Sequence, residues 1–276
     1  MAAMRGVLIA LLLLSFEAGA VVIRDDVPDR EYRLAASAFP ALADLPGEGH
    51  GVLIHPRWVV TAAHAVSWQH ALDVVVVGGT PRAVQKVVIH PGFKTPPQAM
   101  VDAGLKTGDW EAFFEFMATS DDLALVQLAE PVIDVPPVRV FRGDALGKEV
   151  RLIGRGATGN GTTGHTLQPP RRTDLRQGYN HISVSEGRWI AYRFDAPPNA
   201  HRLEASTGSG DSGGPMLVKV GDEWQLAGVA AWKRGNVVGT EVRPGTYGEV
   251  SYGVRLDNYA SWIEETLSAC RRVRRS

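Results

Sequence analysis

The chain has 276 residues, with 29 basic and 30 acidic side chains, a formal charge of −1 and a single cysteine. This length fits one large domain or two tightly joined halves, and the balanced charge excludes the basic excess typical of nucleic-acid-binding proteins. One cysteine excludes an internal disulfide framework and any multi-cysteine zinc or iron–sulfur site.

The first twenty residues are typical of a secretory signal. Arg5 precedes an apolar run over 7–14, and small residues lead up to Ala20. The run is shorter than the ~20 apolar residues of a membrane span, so cleavage after Ala20 is favoured over an uncut membrane anchor. We expect removal of 1–20 and a secreted or periplasmic mature chain, 21–276, with no membrane association.

Short β-branched runs separated by Gly, Pro, Asn and Asp follow from residue 52 onward, and this pattern predicts a sandwich or a barrel. The predicted strands are 57–62, 72–77, 83–89, 123–128, 149–153, 189–194, 215–220, 224–232 and 247–254.

Two stretches have helical character. The segment 109–117 predicts a short helix within a long excursion between strands. Behind Asp257 and Asn258, apolar residues from Tyr259 to Leu267 recur at helical spacing and predict a C-terminal helix. The Gly- and Thr-rich segment 154–164 predicts a loop.

Three motifs that can carry chemistry follow one another in the chain. They are Thr-Ala-Ala-His ending at His64, Asp122 before Leu-Ala-Leu, and Gly210-Asp-Ser212-Gly-Gly-Pro. A serine hydroxyl is a weak nucleophile near neutral pH, so it needs a neighbouring base. A third group must hold that base in the right tautomer and stabilise the charge that the base acquires. Ser212, His64 and Asp122 can fill these roles. The glycines permit a tight turn that aims N–H groups at an oxyanion, and Gly210 and Ser212 are the candidate donors.

These motifs also permit other assignments. Gly210-x-Ser212-x-Gly214 also fits the nucleophile turn of α/β-hydrolases, but their histidine follows the serine and no histidine follows Ser212 here. Asp121 is a rival for the aspartate. The eight histidines form no short metal-type pair beside a carboxylate cluster, so we predict no metal and no cofactor.

In this order the motifs resemble the trypsin/chymotrypsin-like serine proteases, and similar strings around Trp58, Trp232 and 244–250 extend the resemblance over most of the mature chain. The resemblance implies an all-β fold of two six-stranded antiparallel β-barrels with a C-terminal α-helix. The first barrel is expected at about 21–135, and the second barrel with the helix at about 136–270.

The resemblance also implies a function and a type of family member. It implies hydrolysis of protein or peptide substrates through an acyl-enzyme, with Asp122, directly before the Leu-Ala-Leu string, as the triad aspartate. The single cysteine indicates a disulfide-free, bacterial-type secreted member. A protease-fold binding module without turnover and a hydrolase of small esters remain alternatives.

The resemblance further implies a new N-terminus that pairs with the aspartate before the nucleophile, which is Asp211. Cleavage of the signal would supply Val21, or Ile23 after trimming. A separate cut after Arg24 or Arg30 would instead expose an acidic residue, which is unfavourable to bury.

For the side chain before the scissile bond, the resemblance indicates a pocket with Ser206 at its floor and with walls at Ala231, Trp232, Lys233 and Gly245. Ser206 disfavours a basic preference, so we expect small or apolar side chains, with acidic ones second if Lys233 attracts them. Lys233 could also be a solvated side chain. The extra segment 94–120 is expected beside the cleft, either as a lid or as a self-packed insertion.

Overall fold

The computed structural model describes residues 21–47, 49–68, 72–165, 174–238 and 241–273. The predicted signal segment and the last three residues lie outside this part of the chain. Within the described ranges, no helix is both long enough and apolar enough to cross a bilayer.

The first half of the chain forms short strands and two helices. The strands are β1 (Val22–Ile23), β2 (Leu42–Asp44), β3 (His50–His55), β4 (Trp58–Thr61), β5 (Val74–Val77), β6 (Thr80–Ile89) and β7 (Ala124–Leu128). The two helices lie between β6 and β7 and are α1 (Gln98–Thr107) and α2 (Glu111–Ala118).

The second half contains longer strands and ends in a helix. The strands are β8 (Glu149–Gly154), β9 (Gly159–Asn160), β10 (Gly164–His165), β11 (Arg176–Glu186), β12 (Trp189–Arg193), β13 (Ala205–Ser206), β14 (Pro215–Val220), β15 (Glu223–Arg234), β16 (Asn236–Val238), β17 (Glu241–Arg243) and β18 (Val250–Arg255). A 3₁₀ turn, Leu256–Tyr259, leads into α3 (Ala260–Val273).

The strands close into two six-stranded antiparallel barrels, so the predicted fold is confirmed. The first barrel has the order β2-β3-β4-β7-β6-β5 and the second β11-β12-β18-β15-β14-β8. Closure pairs every barrel strand on both sides, so neither barrel has an open edge.

Apolar residues fill both barrels and also the space between them. The residues of β4 and β7 are all buried, which explains their nearly continuous apolar sequences. A separate core cluster joins Trp58 and Leu125 of the first barrel to Leu217 and Val229 of the second, and Ile263 of α3 packs into it. The two halves therefore share a hydrophobic interface.

The described chain begins on the second half of the molecule, although it precedes the first barrel in sequence. β1 pairs antiparallel with β13 and parallel with β9, in a small sheet of the order β10-β9-β1-β13. Val21 and Val22 are both buried there. This placement brings the start of the described chain to the nucleophile side of the cleft.

The predicted strands agree with the structure, but several elements differ from the prediction. The helix predicted at 109–117 is α2, and α1 precedes it. The segment 154–164, predicted as a loop, contains β9 and the start of β10, because a Cβ at Gly159 would lie 1.9 Å from the Gly164 carbonyl oxygen and glycine allows the two strands to approach. β11 was missed because its polar residues, including an Asn and a His, obscure the alternation.

Candidate active site

His64 and Asp122 lie at the same end of the first barrel because the strands beside them are paired. β4 ends at Thr61, and the 3₁₀ turn Ala63–Ala65 that follows contains His64. β7 begins at Ala124, two residues after Asp122, and Thr61 is the partner of Ala124. Strand register thus brings together two motifs that are 58 residues apart in the chain.

Glycine holds the loop that carries Ser212 against the first barrel. The Ser212 carbonyl accepts a hydrogen bond from the His50 N–H at 2.7 Å, and the Gly213 N–H donates to the Ala230 carbonyl at 2.8 Å. Gly213 has a φ of +76°, and a Cβ there would lie 2.1 Å from the His50 carbonyl oxygen and 2.2 Å from Thr61 Oγ1. Only glycine permits this contact between the nucleophile loop and the first barrel.

Asp122, His64 and Ser212 form a continuous hydrogen-bonded line. Asp122 is fully buried, and its Oδ1 accepts the His64 backbone N–H at 2.8 Å while its Oδ2 lies 2.7 Å from His64 Nδ1. His64 Nε2 lies 2.8 Å from Ser212 Oγ. An ionised carboxylate only accepts hydrogen bonds, so we assign the proton to Nδ1, which leaves Nε2 as the acceptor for the Ser212 hydroxyl.

Asp121, the rival for this position, has a different set of contacts. Its Oδ1 accepts hydrogen bonds from Arg188 Nε and from the Tyr259 hydroxyl, both at 2.6 Å, and its Oδ2 lies 3.5 Å from His90 Nδ1. Burial together with this carboxylate raises the pKa of Tyr259 above its usual range. Asp121 therefore connects the first barrel to the second barrel and the C-terminal segment.

Asp211, the residue before the nucleophile, is fully buried. Its Oδ1 accepts the Gly156 N–H and its Oδ2 the Gly208 N–H, each at 2.7 Å. Burial raises the pKa of Asp211 to about 6, although these hydrogen bonds and the charge of Lys233 act in the opposite direction. The ionised carboxylate is therefore destabilised where it lies, and an added cation would stabilise it.

The first strand runs between the two segments that hold Asp211. Val22 pairs with Ser206 on one side and with Gly159 on the other. Ser206 lies two residues before the Gly208 donor, and Gly159 lies three residues after the Gly156 donor. Val21 is 1% exposed and has a φ of +53°, which is an unusual conformation for a β-branched residue. The predicted mature N-terminus is thus buried next to the loops around Asp211.

The turn before Ser212 leaves two N–H groups available as donors. Gly210 has a φ of +92°, and Asp211 closes the turn by donating to the Gly208 carbonyl at 3.1 Å. Within the described chain, the N–H groups of Gly210 and Ser212 donate to no protein acceptor. These are the two groups that the sequence indicates as oxyanion donors.

The predicted substrate-pocket residues separate into two sets. Ala231, Trp232 and Lys233 line a cavity of about 40 Å³ beside Ser212, together with Thr207, Gly208 and Ala230. Ser206 and Gly245 are not among the described residues that line this cavity. Ser206 is fully buried, and a Cβ at Gly245 would lie 2.7 Å from His165 Cδ2 and 3.0 Å from Val22 Cγ2, so Gly245 provides space for the small sheet that contains β1 and β10.

An ion pair lies between the two sets, and no motif in the sequence points to its acidic member, Glu249. Lys233 Nζ donates to the Thr207 carbonyl and lies 2.8 Å from Glu249 Oε1. Glu249 is fully buried, and it also accepts hydrogen bonds from Ser206 Oγ at 3.1 Å and from the Gly245 N–H at 2.8 Å. Lys233 is therefore not the solvated side chain considered above. Glu249 lies 16 residues from Lys233, outside any local motif.

The inserted segment packs both on itself and on the cleft. Trp110 contacts Phe113 edge-to-face at 5.6 Å and fills the space above Gly104 of α1. Phe114 of α2 stacks on Trp232 with ring centroids 6.0 Å apart. The insertion therefore covers one face of an aromatic residue that lines the cavity of about 40 Å³ beside Ser212.

A second cavity, of about 140 Å³, also borders Ser212. It is lined by Gly49, His64, Ala65 and Trp68, and the Trp68 side chain is largely exposed. Since His64 lines this cavity and not the smaller one, the nucleophile has space on two distinct sides. No group of three His, Cys, Asp or Glu side chains in the described ranges could hold a metal ion.

Comparison with known proteins identifies the family. The family model described as Trypsin matches residues 33–263. The chain is similar to a tryptase of Mus musculus, with 29% identity over 229 residues that cover 77% of this chain and 76% of the relative. It is also similar to a trypsin of Sus scrofa, with 26% identity over 259 residues that cover 86% of this chain and 94% of the relative. With barrels, cleft and family model in agreement, the chain belongs to the trypsin family and is a trypsin-like serine endopeptidase.

Proposed function

We propose that this endopeptidase hydrolyses protein or peptide bonds with Ser212 as nucleophile, His64 as general base and acid, and Asp122 as the group that orients His64. The observation that carries the proposal is the hydrogen-bonded line from the buried Asp122 carboxylate through both His64 nitrogens to Ser212 Oγ. Asp122 holds the imidazole in the tautomer that can accept the serine proton, and it stabilises the imidazolium that then forms.

The reaction proceeds in two balanced halves. Ser212 Oγ attacks the scissile carbonyl carbon while His64 Nε2 takes the hydroxyl proton. His64 then gives that proton to the leaving amine, the C–N bond breaks, and an ester to Ser212 remains. Water attacks this ester with His64 as base, and Ser212 regains its proton as the acid product leaves.

The N–H groups of Gly210 and Ser212 are proposed to bind the oxyanion. Neither N–H group has a protein acceptor among the described residues, which supports this role, as does the left-handed backbone of Gly210 that shapes the turn. Donors fixed before the reaction stabilise negative charge without reorganisation, and loss of one such donor typically costs about 3 kcal/mol of barrier.

The α-amino group of Val21 is proposed to activate the enzyme by pairing with Asp211. The burial of Val21 and the raised pKa of Asp211 support this pairing. Val21 also has a φ of +53°, a conformation that costs a β-branched residue about 1–3 kcal/mol, and a chain that begins at Val21 has no φ at this residue to constrain. Val21 directly follows the segment whose sequence predicts a secretory signal, and we therefore propose that export itself creates the active terminus and that the enzyme is secreted or periplasmic.

A fluorophosphonate probe tests the nucleophile directly. We expect stoichiometric labelling of the mature protein, no labelling of Ser212→Ala, and unchanged labelling of the control Ser268→Ala, which alters an exposed serine on α3. Matched peptide ester and amide substrates should both be hydrolysed. Absence of labelling in folded protein would indicate a binding module, and turnover of the ester alone would indicate a small-ester hydrolase.

A further inference from the structure

The cavity beside Ser212 that His64 does not line has little depth. His64 must reach the leaving amine, so the residue after the scissile bond belongs on the His64 side and the residue before it belongs in this other cavity. This step rests on the proposed function. The cavity measures about 40 Å³, against about 140 Å³ for the cavity on the His64 side, so it favours a small group.

Lys233 sets this depth by reaching across the cavity. Its backbone lies on β15, on the same wall as Ala231 and Trp232, and its ammonium group donates to the Thr207 carbonyl on the opposite wall. The lysine side chain is only 19% exposed. Its aliphatic stem therefore closes the cavity, and Ser206 lies behind it.

Glu249 fixes Lys233 in this position. Both of its carboxylate oxygens are engaged, Oε1 with Lys233 and Ser206 and Oε2 with the Gly245 N–H, and the residue is fully buried. Withdrawing one member of a buried ion pair leaves an uncompensated charge, which is strongly unfavourable. An uncharged substrate side chain therefore cannot displace Lys233.

The charge of Lys233 is also neutralised where it lies. Glu249 lies 2.8 Å from the ammonium group, so the cavity presents no net positive charge to an acidic substrate side chain. The carboxylate in turn is hidden from a basic one. Neither class of charged residue is selected.

We propose that the Lys233–Glu249 ion pair is the specificity determinant of this enzyme and restricts the residue before the scissile bond to Gly, Ala or Ser. Lys233 acts as a built-in plug, and Glu249 is a positioning residue that acts through it. With the plug removed, Glu249 becomes a carboxylate at the end of a deep pocket, and the enzyme then favours Lys and Arg.

The test uses the mature full chain and a set of tetrapeptide nitroanilides that differ only in the residue before the scissile bond. For the unmodified enzyme, kcat/KM for Ala should exceed the values for Phe, Lys, Arg and Glu by about 100-fold or more. In Lys233→Gly, the value for Arg relative to Ala should rise by at least about 100-fold. The same substitution at Lys219, an exposed residue of β14, should leave the profile unchanged.

The double variant Lys233→Gly/Glu249→Gln separates the plug from the charge and has no unpaired buried carboxylate. In this double variant, kcat/KM for Phe and Leu relative to Ala should rise, and the value for Arg relative to Ala should not. Active-site titration with the fluorophosphonate probe accompanies each measurement. A protein that the probe does not label therefore contradicts the proposed function and not this inference. A labelled enzyme that cleaves after Arg or Phe as fast as after Ala, or a labelled Lys233→Gly variant with the original profile, would overturn it.

Discussion

The pairing of Val21 with Asp211 predicts a difference in stability between two N-termini. We consider a chain that begins at Val21 and a chain that retains Ala20, both with Ser212→Ala to prevent autolysis. Burial raises the pKa of Asp211 from 3.8 to about 6 in the unpaired state. At about 1.4 kcal/mol per pH unit, the ionised carboxylate costs about 3 kcal/mol, and a neighbouring ammonium group can remove this cost.

The free energy of unfolding should depend on pH differently for the two chains. An acid whose folded pKa is raised binds its proton more tightly in the folded chain, so the chain that retains Ala20 should lose stability as pH rises from about 4 to about 6. The chain that begins at Val21 should not, because its ammonium group keeps the carboxylate ionised at low cost. This advantage is lost again at high pH, as the α-amino group deprotonates above its ordinary pKa of about 8.

Urea unfolding at pH 4, 5, 6, 7 and 8 measures the effect. The difference in unfolding free energy should grow from near zero at pH 4 to about 3 kcal/mol at pH 7. Asp211→Asn in both chains serves as the control and should abolish the pH-dependent difference. Identical pH profiles for the two N-termini would refute the pairing.

Three further predictions concern single residues of the site. Asp122→Asn should lower kcat by about 10⁴-fold in steady-state assays, because the amide favours the wrong tautomer of His64, and an effect below tenfold would contradict its role. Gly213→Ala should destabilise the Ser212→Ala protein by about 3 kcal/mol or more in urea unfolding, because its Cβ would lie 2.1 Å from the His50 carbonyl oxygen. An unchanged free energy of unfolding relative to Ser212→Ala alone would contradict this loop geometry. Phe114→Ala should raise KM for long peptides several-fold with little change in kcat, because it uncovers Trp232, whereas an equal fall in kcat would place the insertion in the chemistry.

The parts of the site that could be predicted from the sequence are those encoded locally. His64 follows a buried strand, Asp122 precedes one, and glycines surround Ser212. Short sequence motifs therefore predict both the chemical role of each residue and the backbone conformation around it. The short β-branched runs likewise predict nine of the twelve barrel strands, all except β2, β3 and β11. Asp121 and Asp122 were separable only through the family resemblance, and the structure separates them by their contacts with Tyr259 and His64.

The remaining features depend on contacts between distant segments. Glu249 belongs to no recognisable sequence motif, and only closure of the barrel brings its carboxylate to Lys233. Phe114 belongs to a short amphipathic helix whose partner, Trp232, is supplied by the other half of the chain. Gly245, expected to keep a pocket wall open, provides space for Val22, because the N-terminal strand crosses to the second half.

The central claim is that Ser212 forms an ester with the acyl part of the substrate. Acid quenching within the first turnover of an activated peptide ester, followed by intact-mass and peptide-level mass spectrometry, tests it most directly. We expect a mass increase equal to the acyl group, located on Ser212, that decays at the steady-state rate and is absent from Ser212→Ala. Turnover without an adduct, or an adduct on any other residue, would contradict it.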